Sequence, residues 1–534
     1  MKTTIKNLIL SAVLVVGGAS CVDLYTAPYD RETDLTYWEE DPEAAVKALN
    51  TCYTYLGNMD EQLYCEAMTD NAYTKQPNDA TQNIGNGSYS TADPYVKKVW
   101  DGRYTGIRMC NELLENIDRV PDLDPELKKR YIGEAKVLRA YNYYELYTKF
   151  GDVPYTTKVL SIKESMSIAR TAKATVIANV LADLDEVING NYLPTSYDAD
   201  NKGRITRWAA MAIKAKIYLF EGNWMQVKNI TSTIMTEGGF KLFESYAGLF
   251  EIANEYNSEV ILDAQYRPTS REHQMMYVFL PPTLGGYSQL SPLQELVDSY
   301  IMLDGKTIKE TGTSFDENHP YANRDPRLKA TVMYTGNSYT LADGTEVVIN
   351  CEKGEGKDGY GVGSDCSATG YYIKKYWDNT YRATLYSGLN PILIRYADIL
   401  LMNAEALAEL GELDKTAWDA TIKPIRDRAG FTLASALEFP EGASKDKLIE
   451  IVRNERRSEL ALEGHRHKDI IRWRIADNVL NGWCHGLKTN DVVGTDDGYV
   501  RVENRTFNAN RHYLWPIPQA ERDLNGNLEQ NPNW

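Results

Sequence analysis

No stretch of this sequence comes near the roughly 18 uncharged apolar residues that a membrane-spanning helix requires. Its 7 cysteines contain no CxxC pair, which argues against a zinc ribbon or a thioredoxin-like centre. Only 6 histidines are present and no HExxH occurs, so the zinc-protease pattern is absent. Positive charge is short as well: the formal net charge is −17. A surface of that sign repels nucleic acid and anionic membranes unless a local patch overrides it. Aromatic residues are lopsided, with 10 Phe and 10 Trp against 37 Tyr. Tyrosine has a flat apolar face and a polar tip, which suits a packed core and suits stacking on a sugar ring equally well.

The one short apolar run lies at the start. Lys2 and Lys6 precede Leu8 to Val16, where only Ser11 is polar. Such a run covers about half a bilayer core and has the length of a signal-peptide core. Gly17, Gly18, Ala19 and Ser20 then lead into Cys21. Small residues directly before a cysteine resemble a bacterial lipobox, with Gly18 where that motif usually has leucine. The alternative is ordinary secretory cleavage, with Cys21 an incidental thiol. Residues 1–20 are thus expected to be a signal peptide and 21–40 an acidic tether. Six further cysteines permit disulfides in an oxidising compartment. Cys351 and Cys366, which flank a glycine-rich loop, are the first candidates; buried free thiols are the alternative.

Helical periodicity recurs along the chain. After Pro42, Ala45, Leu49, Cys52 and Leu56 share one face. Trp208, Ala212, Ala215 and Leu219 form a second stripe, with Thr206 as its cap and Gly222 as its stop. Ile394, Ala397, Leu401, Ala404 and Ala408 form a third, closed by Gly411. Tyr131 to Phe150 is apolar on more than one face, as in a helix packed on two sides. Alternating large and small residues suggest tetratricopeptide-like packing, although no clean 34-residue period appears. Residues 240–390 and 476–534 break the pattern, with short β-type runs at 259–262 and 345–349. The expectation is a mainly α fold with minor β: a single domain over 41–534, its helical scaffold mainly at 41–236 and 390–475. Long irregular parts at 240–390 and 476–534 would carry recognition groups, as loops do.

Motifs with catalytic or ligating chemistry fail on context. Gly354 to Gly359 fits GxGxxG but lacks the preceding strand and following helix that a phosphate site needs. Asp198, Asp200 and Gly203 mimic an EF-hand start, yet Lys202 and Ala209 stand where ligands belong, so helix capping is expected. His465 and His467 are about 200° apart on a helix and cannot share one metal there. Gly286-Tyr-Ser288 lacks the second glycine of a nucleophile elbow. The six arginines of 453–474 interleave with Glu455, Glu459, Glu463 and Asp469. This mixture predicts a salt-bridged segment, with Arg456 and Glu459 an i,i+3 pair. No metal and no cofactor is expected.

The segments without such chemistry carry an ordered set of motifs. They begin with Gly133-Glu-Ala-Lys-Val-Leu-Arg-Ala-Tyr141 running to Phe150-Gly-Asp-Val-Pro154, then Gly203-Arg-Ile-Thr-Arg-Trp-Ala-Ala210 and Asn323-Arg-Asp-Pro-Arg-Leu328. Ile394-Arg-Tyr-Ala-Asp-Ile-Leu-Leu401 with Ala404-Glu-Ala406, Ile425-Arg-Asp-Arg-Ala-Gly430 and Glu455-Arg-Arg-Ser-Glu-Leu460 with Glu463-Gly464 follow. Pro516-Ile-Pro518 and Gln530-Asn-Pro532 complete the order, which resembles the SusD-like (RagB/SusD) outer-membrane lipoproteins. The resemblance implies a tetratricopeptide-like scaffold and lipidation at Cys21, with the protein facing the cell exterior. It also implies a non-catalytic protein that captures glycan and delivers it to a SusC-like TonB-dependent transporter. Rival readings are a secreted helical glycoside hydrolase and a transporter lid binding peptides or other nutrients.

A sugar site needs an aromatic platform beside polar groups on an exposed face. Asp70, Asn71, Tyr73, Lys75, Asn78, Tyr89 and Tyr95 form one candidate run. The resemblance adds weight to Asp70 and Tyr73, because the early loop contributes to the site in the starch-binding relative. Tyr287 and Tyr321, from the second irregular region, would complete an arc.

Overall fold

The computed structural model describes residues 33–34, 36–75, 80–380 and 384–534. Cys21 and Asn78 lie outside the described residues. The scaffold is a chain of helices in which each packs on the next: Pro94–Asn116 on Pro125–Phe150, then Lys173–Asn189, Arg207–Phe220 and Trp224–Glu237. Trp224–Glu237 then packs directly on Tyr396–Leu410, which in turn meets Lys445–Glu459. Residues 240–390 are thus an insertion between two helices that touch.

Local sequence explains the helix ends. Asp93 accepts from the Tyr95 amide at 2.9 Å ahead of Pro94. Asp124 accepts from Glu126 and Leu127 ahead of Pro125. Thr206 caps Arg207–Phe220 through Ala209 N at 3.2 Å, as expected, and Gly411 closes its helix at φ +74°. Each side-chain cap stabilises by about 1 kcal/mol. Pro125–Phe150 is buried on several faces because it packs against the helices at 44–53, 94–116 and 173–189.

Several expectations need correction. Ile394 belongs to a strand, Ile392–Arg395, paired antiparallel with Val260–Asp263, and the helix begins at Tyr396. The folded body starts before residue 41: Thr36–Glu40 is helical and Trp38 is buried in the main core. Residues 476–534 contain paired strands Gly482–Lys488 and Tyr499–Arg505, whose composition shows no clear alternation. Cys351 and Cys366 are buried free thiols, and Cys366 Sγ turns toward the Lys357 carbonyl at 3.3 Å. Arg456 does not pair with Glu459: it binds Asp398 and Asp469, while Glu459 faces Arg327, Arg395 and Arg428. The 453–474 segment is salt-bridged all the same.

Gly354 to Gly359 is loop, and Asp198 caps a short 3₁₀ turn through Asn201 N at 3.1 Å. His465 and His467 sit at the start of Arg466–Arg472, where burial and the neighbouring lysines push both down to about 3. Among the described residues no group of His, Cys, Asp and Glu is arranged to hold a metal ion. No helix of the described residues is long and apolar enough to cross a membrane.

A buried charge lattice rivets the insertion to the scaffold. Arg395 meets Glu259, Glu459 and Glu463 at 2.6–2.7 Å, and Lys375 reaches Glu463 at 2.6 Å. Arg327 binds Asp325, Glu455 and Glu459. A second core, distinct from the helical one, joins Met59, Leu63, Ala67 and Ala72 to residues of 246–392. The 59–72 segment, a short helix, a 3₁₀ turn and the start of a strand, therefore packs with the insertion, although more than 170 residues separate them in sequence.

Candidate functional site

Asp70 is buried, its two carboxylate oxygens held by Arg466 at 2.8 and 2.9 Å and by Arg457 at 3.0 Å. Burial alone would raise this carboxyl; the two guanidinium groups overcome that and hold it well below the carboxylate range. Asn71 is buried too, donating to Glu66 at 2.8 Å and accepting from Arg457 at 2.9 Å. The expectation of an exposed polar platform is corrected for these residues: they are structural fasteners, because a buried carboxylate is kept only when paired.

What they fasten is a ribbon. Ala72–Thr74 pairs antiparallel with Leu290–Pro292, setting Tyr73 opposite Ser291. The Lys75 amide continues the ladder to the Gln289 carbonyl at 2.9 Å. Two residues before Gln289 stands Tyr287, 46% exposed, with its ring stacked on Tyr277 at 5.8 Å and 12° between planes. The turn that projects Tyr287 depends on glycine. Gly285 has φ +85°, and a Cβ on Gly286 would sit 2.1 Å from the Leu280 carbonyl oxygen. Gly286 N reaches Pro281 O at 3.1 Å and Tyr287 N reaches Tyr277 O at 2.8 Å, which closes the turn. Tyr386, 37% exposed, accepts a hydrogen bond from Gln274, which stands just before the Tyr277 helix.

Tyr73 is half-buried and its hydroxyl accepts from Gln82 at 3.2 Å; burial pushes the phenol up to about 12, so it stays protonated. Lys75 donates to the Cys366 carbonyl at 2.8 Å, and burial lowers its pKa. The geometry thus brings Tyr73, Lys75 and Tyr287 to one ribbon. The other tyrosines go elsewhere. Tyr89 is buried against His512 and Trp534, a correction to its expected exposure. Tyr95 stands in the first turn of Pro94–Asn116, edge-on to Trp515. Tyr321 stacks on Tyr334 at 4.0 Å and shares a hydroxyl contact with Tyr371, inside the insertion. Tyr277, Tyr386 and Gln274 carry no local signal in the sequence, whereas the Gly285-Gly286 turn directly precedes Tyr287.

A chain of helices that carries an aromatic surface on an inserted loop region defines a helical-scaffold binding architecture. The SusD family model matches residues 249–534, more than half of the chain, and the chain belongs to that family. A second model, described as starch-binding associating with outer membrane, matches 43–219. A SusD-like protein of Formosa agariphila is 27% identical over 508 residues, covering 89% of this chain and 91% of the relative. Among solved structures, a SusD-like carbohydrate binding protein of Bacteroides fragilis has a TM-score of 0.82 at 27% identity, covering 92% of this chain and 100% of its own. Another SusD-like protein of that organism has a TM-score of 0.81 at 28% identity, covering 95% and 100%. The mainly helical fold follows the family.

Proposed function

We propose that this protein captures oligosaccharides at the cell surface, without cleaving them, and hands them to a SusC-like TonB-dependent transporter in the outer membrane. The observation that carries the reading is the exposed Tyr287 ring, stacked on Tyr277, at the end of the ribbon that holds Tyr73 and Lys75. A rigid aromatic face beside hydrogen-bonding groups matches a sugar ring, which has an apolar face and a hydroxyl rim. The name of the Bacteroides fragilis relative, a carbohydrate binding protein, supports the same reading. In this proposal residues 1–20 are a signal peptide, Cys21 carries the lipid, and 22–35 tether a single folded body to the membrane.

Calorimetry of the soluble chain against an oligosaccharide panel tests the capture step. Tyr287→Ala is expected to weaken binding roughly tenfold, the scale of a lost aromatic stack and its buried area. Unchanged affinity would remove Tyr287 from the site, and a panel with no binder would end the proposal. Polysaccharide incubated with the protein is expected to keep its chain length. Cys21→Ser is expected to move the protein from the membrane to the soluble fraction with oligosaccharide affinity unchanged; retention in the membrane would refute the anchor. Co-purification of a SusC-like barrel with the native protein tests the partner.

A further inference from the structure

Away from the Tyr287 surface, a groove of about 660 Å³ opens between the end of the Pro125–Phe150 helix and the C-terminal segment. Its volume is that of a small-ligand site. In a chain with a net charge of −17, its lining holds Arg170, Lys173, Arg472, Arg474 and Arg511 against Asp152 and Glu529 alone. Lys173 and Arg472 are spent on carboxylates, those of Glu221 and Glu405. The other three arginines have no carboxylate within ion-pair distance among the described residues.

Those three are held in place by contacts that leave charge unspent. Arg474 lies 4.4 Å over the Tyr513 ring, is exposed, and keeps a left-handed backbone at φ +56°. A non-glycine residue in that region is strained and persists where the surroundings hold it. Arg511 lies 3.8 Å over the Trp534 ring, and its Nε is buried with no hydrogen-bond partner among the described residues. Arg170 donates to the carbonyls of Asp152, Phe150 and Glu529 and to the Asn531 side chain, all neutral acceptors. A guanidinium stacked on an aromatic ring keeps its planar fork pre-organised for an oxyanion.

We infer that this groove binds the oxyanion, carboxylate or sulfate ester, of an acidic saccharide. The inference rests on the glycan-capture reading and adds a substrate class to it. The local patch overrides the acidic field of the whole chain, and no residue of the groove belongs to the Tyr287 surface.

Two matched pairs of probes test it on the full soluble chain. One is an oligogalacturonate with its carboxyl-reduced neutral form; the other is a sulfated oligosaccharide with its desulfated form. The charged member of at least one pair is expected to bind at least tenfold tighter than its neutral partner, with the gap narrowing as salt rises. Which pair shows the gap identifies the carboxylate or the sulfate ester as the source. Arg474→Gln with Arg511→Gln is expected to close the gap and leave neutral binding unchanged, whereas Tyr287→Ala is expected to leave the gap open. Equal affinity within both pairs, or a gap that survives the double replacement, overturns the inference. If the double variant does not fold, Arg474→Gln alone, at an exposed position, must narrow the gap at least threefold, and failure to do so overturns it. Neutral binding without any charge preference sinks this inference alone; no binding of either kind sinks the glycan reading with it.

Discussion

Arg395→Ala is expected to cost about 3–5 kcal/mol of stability, the range for breaking a buried ion pair by removing one partner. Arg395 is 1% exposed and sits among three carboxylates, Glu259, Glu459 and Glu463. Its Nε and Nη2 form a two-pronged contact with Glu463 at 2.7 Å, and its Nη2 also donates to the Glu459 carbonyl at 2.8 Å. Removing the guanidinium leaves three buried negative charges with too few cations, and Arg428, Arg327 and Lys375 are already engaged. The loss concentrates where the insertion meets the scaffold, because Glu259 precedes the Val260–Asp263 strand of the insertion and Glu459 ends a scaffold helix. Urea unfolding followed by far-UV and tyrosine signals checks this. Arg395→Lys restores charge without the planar fork, and is expected to recover only part of the loss. A midpoint unchanged in Arg395→Ala would show that the lattice contributes little.

The second large effect is on pH. Stability is expected to peak at about pH 6–7 and to fall steeply below about pH 4. Burial by itself would raise Glu455, Glu459, Glu463, Asp398 and Asp469, but the arginines and lysines facing them hold each below its ordinary value. A carboxylate with a depressed folded pKa stabilises fully above its unfolded value, about 4, and loses that contribution as pH falls through the folded one. Several groups doing so together make the acid limb steep. Histidines reinforce that acid limb: burial holds His465 and His467 down to about 3 and His273 and His512 down to about 4, so between about pH 3 and 6.5 the unfolded chain binds protons that the folded one refuses. Glu66 and Glu255, pushed up to about 7 by burial, Asp263, pushed up to about 6 by burial, and His485, held up to about 8 by Glu295 and Asp496, act in the opposite sense, so stability declines gently above about pH 7. Urea midpoints measured from pH 2 to 8 should trace both limbs, and Glu66→Gln should flatten the upper one. A flat profile between pH 6 and pH 3 would contradict the charge lattice.

The two effects share a cause that the sequence showed only as composition. Arginines and glutamates alternating through 453–474 announced ion pairs, and the segment is salt-bridged. The partners were not legible, because a helix surface offers i,i+3 neighbours while burial brings charges from far along the chain. Arg456 thus meets Asp398, 58 residues away, and Arg395 meets Glu259, 136 residues away. The candidate site divides in the same way. Tyr73, Lys75 and Tyr287 could be singled out by type and by their irregular surroundings. Asp70, Asn71 and Tyr89 looked the same in sequence and proved to be buried. Tyr386 gave no signal, since nothing near it in the chain indicates that Gln274 stands beside it.

What the sequence alone determined is whatever residues within a few positions decide. Asp-Pro and Thr starts and the Gly411 stop are local hydrogen-bond and backbone preferences, so the scaffold helices were readable, and the ordered motifs placed the chain in its family. Only the tertiary structure decided which tyrosine faces solvent. That choice was made by a ribbon pairing residue 73 with 291, by a shared core between the 59–72 segment and the insertion, and by a turn in which Gly286 has no room for a side chain. These are contacts between distant segments, whose free energy appears only after the chain has folded.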